Sequence, residues 1–264
     1  MTNSHVPLDG EDDQLTRALA GLVAEPPPGF VGRLFAEWVR VPGPIGPLFV
    51  ASTSRGISYV TLADVVDDDP DRFAEVFRDR FGRPLRPASR PPAGLLSALR
   101  SGRSAGLRFD LGGLSEFEQA VLGKALEIPR SETRPYAWIA SEIGRPGAVR
   151  AAGSALGRNP VPILIPCHRV VRSDGEAGNY AFGPDLKQRL LREEAVDLED
   201  VRRLAGVGVH YVGSDTTGVV CYPTCHNARR ITAAHRAGFR TLGQAIEAGF
   251  RPCRHCRPAV VQSA

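Results

Sequence analysis

Apolar positions along this chain recur at helical spacing in some stretches and at strand spacing in others. Leu15, Leu19 and Leu22 fall near one face of a helix predicted over Asp13–Ala24, which Pro26-Pro27-Pro28 ends. Phe30, Leu34, Phe35 and Trp38 repeat the spacing and predict a short helix over Phe30–Trp38. The period then drops to two. Gly43–Ala51 and Ile57–Leu62, either side of Ser54-Arg55-Gly56, read as two strands of a hairpin. A helix is predicted across Pro70–Phe81, followed by a proline-rich connector, Arg83–Pro92.

From Leu114 the helical spacing returns. Ser115 is a capping residue with Glu118 three positions on, and Phe117, Val121, Leu122, Ala125 and Leu126 make the apolar face. Ile128-Pro129 stops this helix. Tyr136–Gly144 predicts a short helix closed by glycine, Arg145-Pro146-Gly147 a turn, and Ala148–Leu156 a second short helix. Together they suggest a helix-turn-helix, whose second helix consists of small and apolar residues around the single Arg150. Small side chains allow a helix to approach another surface closely; an ordinary helical hairpin in a core is the plain alternative.

At 264 residues the chain exceeds one ordinary domain, and two or three are expected. The formal charge of +4 is unevenly placed: from Val201 onward there are nine arginines and no lysine against only Asp215 and Glu247. A polyanion suits that end. There is no apolar span near twenty residues and no signal peptide, so neither a membrane nor secretion is expected. None of the five cysteines precedes Cys167, and thiol chemistry there fits a reducing cytoplasm.

Pro166-Cys167-His168-Arg169 places a thiol directly before an imidazole, after an apolar run containing Pro160, Pro162 and Pro166. A stiffly presented sulfur with a base beside it is a nucleophile candidate, although an isolated Cys-His pair is as often a buried cysteine packed as a small apolar residue. The other four cysteines form Cys221-Tyr-Pro-Thr-Cys225 and Cys253-Arg-His-Cys256, a CxxxC and a CxxC. Four thiolates fill a tetrahedral shell, which favours zinc with His226 and His255 left in solvent. Two disulfides, an iron–sulfur cluster or a site using either histidine are the alternatives.

Asn159–Val171, followed by Gly178-Asn179-Tyr180 and Leu190-Leu191-Arg192-Glu193-Glu194, resembles the O6-alkylguanine-DNA alkyltransferases from about Phe117 to Ala195. Gly46–Gly56 looks like the first hairpin of that family's N-terminal domain. The resemblance implies an α/β N-terminal ribonuclease-H-like domain over residues 1–110 and a mainly α helix-turn-helix alkyltransferase domain over 113–198. In the family the cysteine matching Cys167 accepts an alkyl group, chiefly methyl, from damaged guanine, irreversibly and once per molecule. The residue matching His168 works through water, and Glu194 orients it. Tyr136 matches a tyrosine that donates to the purine, Asn159 an asparagine bracing the active-site turn, and Tyr180 a tyrosine lining the alkyl pocket. Arg150 matches the finger that fills the stack behind the extruded base, with Ala148, Ala151, Gly153 and Arg158 completing the implied DNA-facing set. The sequence departs from the family at Arg130-Ser131, in a loop, and at Ala181-Phe182, in the alkyl pocket.

Thr216–Cys225 and Ala248–Cys256 look like the metal-binding domain of the bacterial adaptive-response protein Ada, implying a small α+β zinc-binding domain over 205–264. There the first cysteine of the set accepts methyl from methylphosphotriesters, which makes Cys221 a possible second acceptor. In Ada the module precedes the alkyltransferase; here it follows, with no AraC-type domain. The arginine that follows Ada's second cysteine falls at Ala228, or at Arg229 if one residue is inserted. The expected partner is double-stranded DNA containing alkylated guanine, bound by a monomer. The alternatives are a protein that reads alkylated DNA without repairing it and a zinc-dependent regulator.

Overall fold

The computed structural model describes residues 32, 34–104, 106–178 and 180–259. The helix expected over Asp13–Ala24 lies outside them. Strands β1 (Ala36–Gly43), β2 (Gly46–Thr53) and β3 (Gly56–Leu62) form an antiparallel meander, so the expected hairpin has a third strand. Trp38 therefore stands in a strand and not in the helix expected over Phe30–Trp38. Seven residue pairs join β1 to β2, from Glu37↔Ser52 to Gly43↔Gly46, and Trp38 packs edge-on to Phe49 at 5.3 Å. Cross-strand pairing outweighs the local spacing that suggested a helix.

Helix α1 (Pro70–Phe81) starts where Asp69 accepts from the Asp71 amide and ends at Gly82, at φ 63°. Its Phe73 and Phe77 bury against one face of the sheet, on Phe49, Ala51 and Val66. Within the proline-rich connector, β4 (Leu85–Pro87) pairs parallel to β1, giving the order β3-β2-β1-β4. The opposite sheet face carries Leu48, Val50, Ile57 and Val60, which join helix α2 (Leu95–Ser101) and the following helices in one continuous core.

Helix α3 (Glu116–Leu126) has the expected Ser115–Glu118 capping box, with both reciprocal bonds formed. Strand β5 (Arg134–Pro135) leads directly into α4 (Tyr136–Glu142), and α5 (Val149–Gly157) follows a turn in which Gly144 adopts φ 71°. These two helices pack on each other and on α3 as the expected helix-turn-helix. Strand β6 (Val170–Val171) pairs parallel to β5, so the backbone before Tyr136 is tied to the backbone just after Cys167. Helix α6 (Pro184–Glu193) closes the unit and α7 (Leu198–Gly206) leads into the last one.

The last unit is small and α+β. Strands β7 (Tyr211–Ser214), β8 (Val219–Cys221), β9 (Arg236–Phe239) and β10 (Arg251–Pro252) form a sheet ordered β10-β8-β7-β9, with α8 (Leu242–Glu247) beside it. Among the described residues no helix is long and apolar enough to cross a membrane.

Candidate active site and metal centre

The loop from Asn159 to Pro166 is held at both ends before it presents the sulfur. The Val60 amide of the sheet donates to Pro160 O at 2.9 Å, and Ile163 adopts φ 73°, a left-handed conformation costly for a β-branched residue. Asn159 spans the loop. Its Oδ1 accepts from the Val161 amide at 2.9 Å, and its Nδ2 donates to Ile165 O at 2.9 Å and to Cys167 Sγ at 3.1 Å. Asn159 thus ties the two ends of the turn together and also touches the sulfur. Cys167–Arg169 form a single 3-10 turn, all three residues buried.

Burial raises the Cys167 thiol above its ordinary value; the Asn159 donor and the Lys187 charge work the other way. Lys187 is fully buried on α6, with Nζ donating to Val170 O at 2.6 Å and lying 3.5 Å from Tyr136 Oη. Burial lowers its ammonium to about 8, with Cys167 as the opposing influence. A cation close to the sulfur favours the thiolate, the form that attacks carbon.

Behind the sulfur, burial lowers the His168 imidazole, and Glu194 opposes the effect. Glu194 Oε1 lies 3.2 Å from His168 Nε2, but neither ring nitrogen makes a well-aligned hydrogen bond to the protein. That contact is one of charge and proximity, and His168 has no direct hydrogen bond to Cys167. Arg169 makes the stronger contact: its Nε and a terminal nitrogen donate to the two Glu194 oxygens at 2.8 and 2.6 Å. Burial would raise the Glu194 carboxyl, but the His168 and Arg169 contacts outweigh it and hold it at about 2.

Tyr136, at the start of α4, is framed by two glycines. A Cβ on Gly153 would meet its ring at 3.6 Å, and one on Gly178 would come within 2.9 Å of its hydroxyl. The Tyr180 ring stands edge-on to His168 at 6.3 Å and to Phe182 at 5.6 Å. On α5, Arg150 and Ala151 are exposed and Gly153 is half-buried, as is Ala148 just before the helix. Arg150 has no ion-pair partner among the described residues. Arg158 Nε, in contrast, is held by Glu118 Oε1 at 2.6 Å.

In the C-terminal unit Cys221, Cys225, Cys253 and Cys256 are all buried and free, with sulfurs within 4.8 Å of one another. Zinc–sulfur bonds of about 2.3 Å in a tetrahedron place sulfurs roughly 3.8 Å apart, so the set fits zinc. Hydrogen bonding among the sulfurs drives their acidities apart, Cys225 and Cys253 down and Cys221 and Cys256 up; a cation lets all four be thiolates. Of the four, Cys221 lines a surface cavity of about 540 Å³, with Thr217, Asn227, Arg230 and Arg251 around it. Neither position suggested by Ada lines it: Ala228 is buried, and Arg229 is not among the lining residues. His255 is not simply solvated, because its Nε2 contacts Glu132 Oε1 at 2.8 Å.

A family profile described as the DNA-binding domain of 6-O-methylguanine DNA methyltransferase matches residues 116–196, and one described as the metal-binding domain of Ada matches 201–259. A methylated-DNA–protein-cysteine methyltransferase of Methanosarcina acetivorans is 38% identical over 155 residues, covering 57% of this chain and 93% of that protein. The chain belongs to the methylated-DNA–protein-cysteine methyltransferase family. The methyltransferase of the same name from Methanothermobacter thermautotrophicus is 50% identical over 90 residues, 34% of this chain and half the length of that relative. A solved variant of the Mycobacterium tuberculosis O6-methylguanine methyltransferase superposes with a TM-score of 0.50 at 30% identity, covering 60% of this chain and 92% of that one.

Around Cys167 the structure places two further residues that sequence reasoning did not single out. Lys187 reads as a surface residue because it sits in the charged helix sequence Asp185-Leu-Lys-Gln-Arg189, and only packing against the Cys167 turn reveals its position. Arg169 lies inside the Pro-Cys-His-Arg word itself. Besides holding Glu194, it donates to Ile128 O and Gly102 O, each at 2.8 Å, fastening the turn to two other segments. In the departing loop Ser131 takes φ 68°, and Arg130 fastens the loop by donating to Glu193 O at 3.0 Å.

Proposed function

We propose that this chain repairs double-stranded DNA by taking the alkyl group, chiefly methyl, from O6-alkylguanine onto Cys167. The guanine swings out of the stack, Arg150 fills the space it leaves, and Tyr136 donates toward the purine. The Cys167 thiolate attacks the alkyl carbon, the carbon–oxygen bond breaks as the carbon–sulfur bond forms, and the electron pair passes to the purine oxygen. His168, kept neutral by burial and oriented by Glu194, takes the thiol proton through water, and guanine regains a proton. A thioether has no easy reverse, so each molecule acts once.

The observation that carries this reading is the setting of the sulfur: Cys167 is buried, with the Asn159 amide at 3.1 Å and the Lys187 ammonium among the charges acting on it. A protein that only reads lesions has no need of a thiol placed this way. Incubation with an O6-methylguanine duplex should leave a single methyl increment on the Cys167 peptide by mass spectrometry, and Cys167→Ser should abolish it. An unmodified sulfur in folded protein would leave lesion reading as the function.

The cavity at Cys221 favours a second acceptor there. A zinc ion with four thiolates carries net charge −2 and repels phosphate, but a neutral methylphosphotriester is not repelled locally. Arg230 and Arg251 line the same cavity and would meet the flanking phosphates. Methylation of Cys221 reduces the site to −1 and tightens DNA binding, most at low salt. DNA methylated only on phosphate should add one methyl to the Cys221 peptide; an unchanged mass would reduce the zinc to structure. The alkylguanine chemistry proposed here uses groups from one chain, and none of the five cysteines is joined in a disulfide, so we further propose a monomer working in the cytoplasm.

A further inference from the structure

The residues beside two of the four metal-site cysteines grip the alkyltransferase unit, and they grip it at one place. Thr224 precedes Cys225 and His226 follows it; His255 precedes Cys256 and Arg257 follows it. Thr224 Oγ1 accepts from the Thr133 amide at 2.9 Å and donates to Thr133 O at 3.1 Å, both threonines being buried. Glu132 Oε1 accepts from the His226 amide at 3.0 Å and contacts His255 Nε2 at 2.8 Å. Arg257 reaches Glu127 at 2.6 Å and Glu142 at 3.2 Å, bracketing the segment from either side.

The gripped segment is β5 and its approach, which ends at Tyr136. Glu132 Oε2 accepts from Arg134 at 2.6 Å, and the Arg134 guanidinium lies 5.8 Å from the ring centres of both Trp138 on α4 and Tyr222 in the metal unit. Glu132 is 2% exposed, and its carboxylate, Cys225 Sγ and a His255 ring nitrogen lie within 4.8 Å of one another. Such a buried carboxylate, satisfied on one side by Arg134 and on the other by groups adjoining the cysteines, loses partners if those groups move.

We propose that the cysteine knuckles of the metal unit act as a clamp on residues 132–135 and thereby position Tyr136 against the extruded purine. Thr224 and Glu132 are then positioning residues for guanine repair, and the metal centre is a working part of the alkyltransferase site. This rests on the reading of Cys167 as acceptor and Tyr136 as donor. Four sulfurs on one ion fix the two knuckles relative to each other, and the knuckles fix the entry to α4. Displacing a reacting group's partner by a fraction of an ångström slows a step without abolishing binding.

The test uses the full zinc-loaded chain and Thr224→Val, which keeps shape and every cysteine but removes all three Oγ1 contacts to Thr133, those to its amide and carbonyl and the 3.2 Å contact to its hydroxyl. Zinc content should be unchanged, amide exchange at Thr133 faster, duplex affinity within about twofold, and the single-turnover rate of methyl transfer roughly tenfold lower. Thr224→Ser should restore the rate. In a Tyr136→Phe background Thr224→Val should cost nothing further, because it acts through that hydroxyl. Glu132→Gln, which weakens the contacts from the other side, should show the same slower transfer with zinc retained. Chelation of zinc should likewise speed exchange across 132–136. A Thr224→Val protein that transfers at the wild-type rate, or loses its full tenfold on top of Tyr136→Phe, would overturn the clamp. Failure of the parent reading looks different: wild-type protein would then leave Cys167 unmethylated.

Discussion

Asn159 Nδ2 lies 3.1 Å from Cys167 Sγ and donates at the same time to Ile165 O. One amide therefore shapes the loop and also bears on the acidity of the sulfur. Its hydrogen bond opposes the burial that raises the thiol, so Asn159→Ala should move thiolate formation to higher pH. The Val161 amide also loses its acceptor, which costs about 1–3 kcal/mol for the unsatisfied buried group. We expect methyl transfer at neutral pH to fall by roughly 100-fold, with partial recovery in alkaline buffer. Rates from pH 6 to 9.5, with urea unfolding alongside, separate the two effects; a thiol that titrates as in wild type would show that Asn159 is only a brace.

Lys187 reverses the usual pH behaviour of a lysine. Burial lowers its folded value to about 8, against about 10.4 in the unfolded chain. Between these values the unfolded state binds the proton that the folded state has lost, so this group adds stability as pH rises from about 8 to 10.4. Lys187→Met should abolish that gain while removing the cation that favours the thiolate. Urea titrations at pH 7, 9 and 10 should show wild type gaining on the variant with pH. Transfer at pH 7 should drop roughly tenfold in the variant.

Glu194 gives the opposite window. Its folded value of about 2 lies below the unfolded value of about 4.3, so its stabilisation is complete above the latter and fades as pH falls toward 2. Burial lowers His168 as well, and the unfolded chain again binds protons better in acid. Glu194→Gln leaves Arg169 buried without its full counter-charge, a loss on the order of 3 kcal/mol at pH 7 that shrinks by pH 3. Transfer should fall roughly 100-fold as His168 loses its orienting charge. Equal acid sensitivity of the two proteins would remove Glu194 from this role.

The contiguous words were legible because their chemistry depends on neighbours in sequence. Pro-Cys-His-Arg, the Ser115–Glu118 box and the paired cysteine knuckles needed no fold to be recognised. Groups brought together from afar were not. Thr133 and Thr224 are 91 positions apart, and nothing local to either marks it as half of a buried bond. Lys187 sits in a polar helix whose buried side is fixed by what packs on it. Trp38 fits both spacings, and the ladder to β2 decided it.

Arg150 is exposed on α5, has no ion-pair partner among the described residues, and stands among small residues, which would let the proposed DNA-facing helix approach a duplex closely. Removing it should therefore leave the fold intact, with melting unchanged within the ordinary scatter of surface substitutions of about 0.5 kcal/mol. Its loss should be felt only when a base must leave a stack. Unstacking costs a few kcal/mol in a duplex and less in a single strand, so Arg150→Ala should slow transfer from duplex O6-methylguanine by about 10- to 100-fold. The single-stranded oligonucleotide should be affected far less. Comparing single-turnover rates on the two substrates checks this directly: an equal loss on both would mean that Arg150 serves general phosphate attraction, which a steep salt dependence would then reveal.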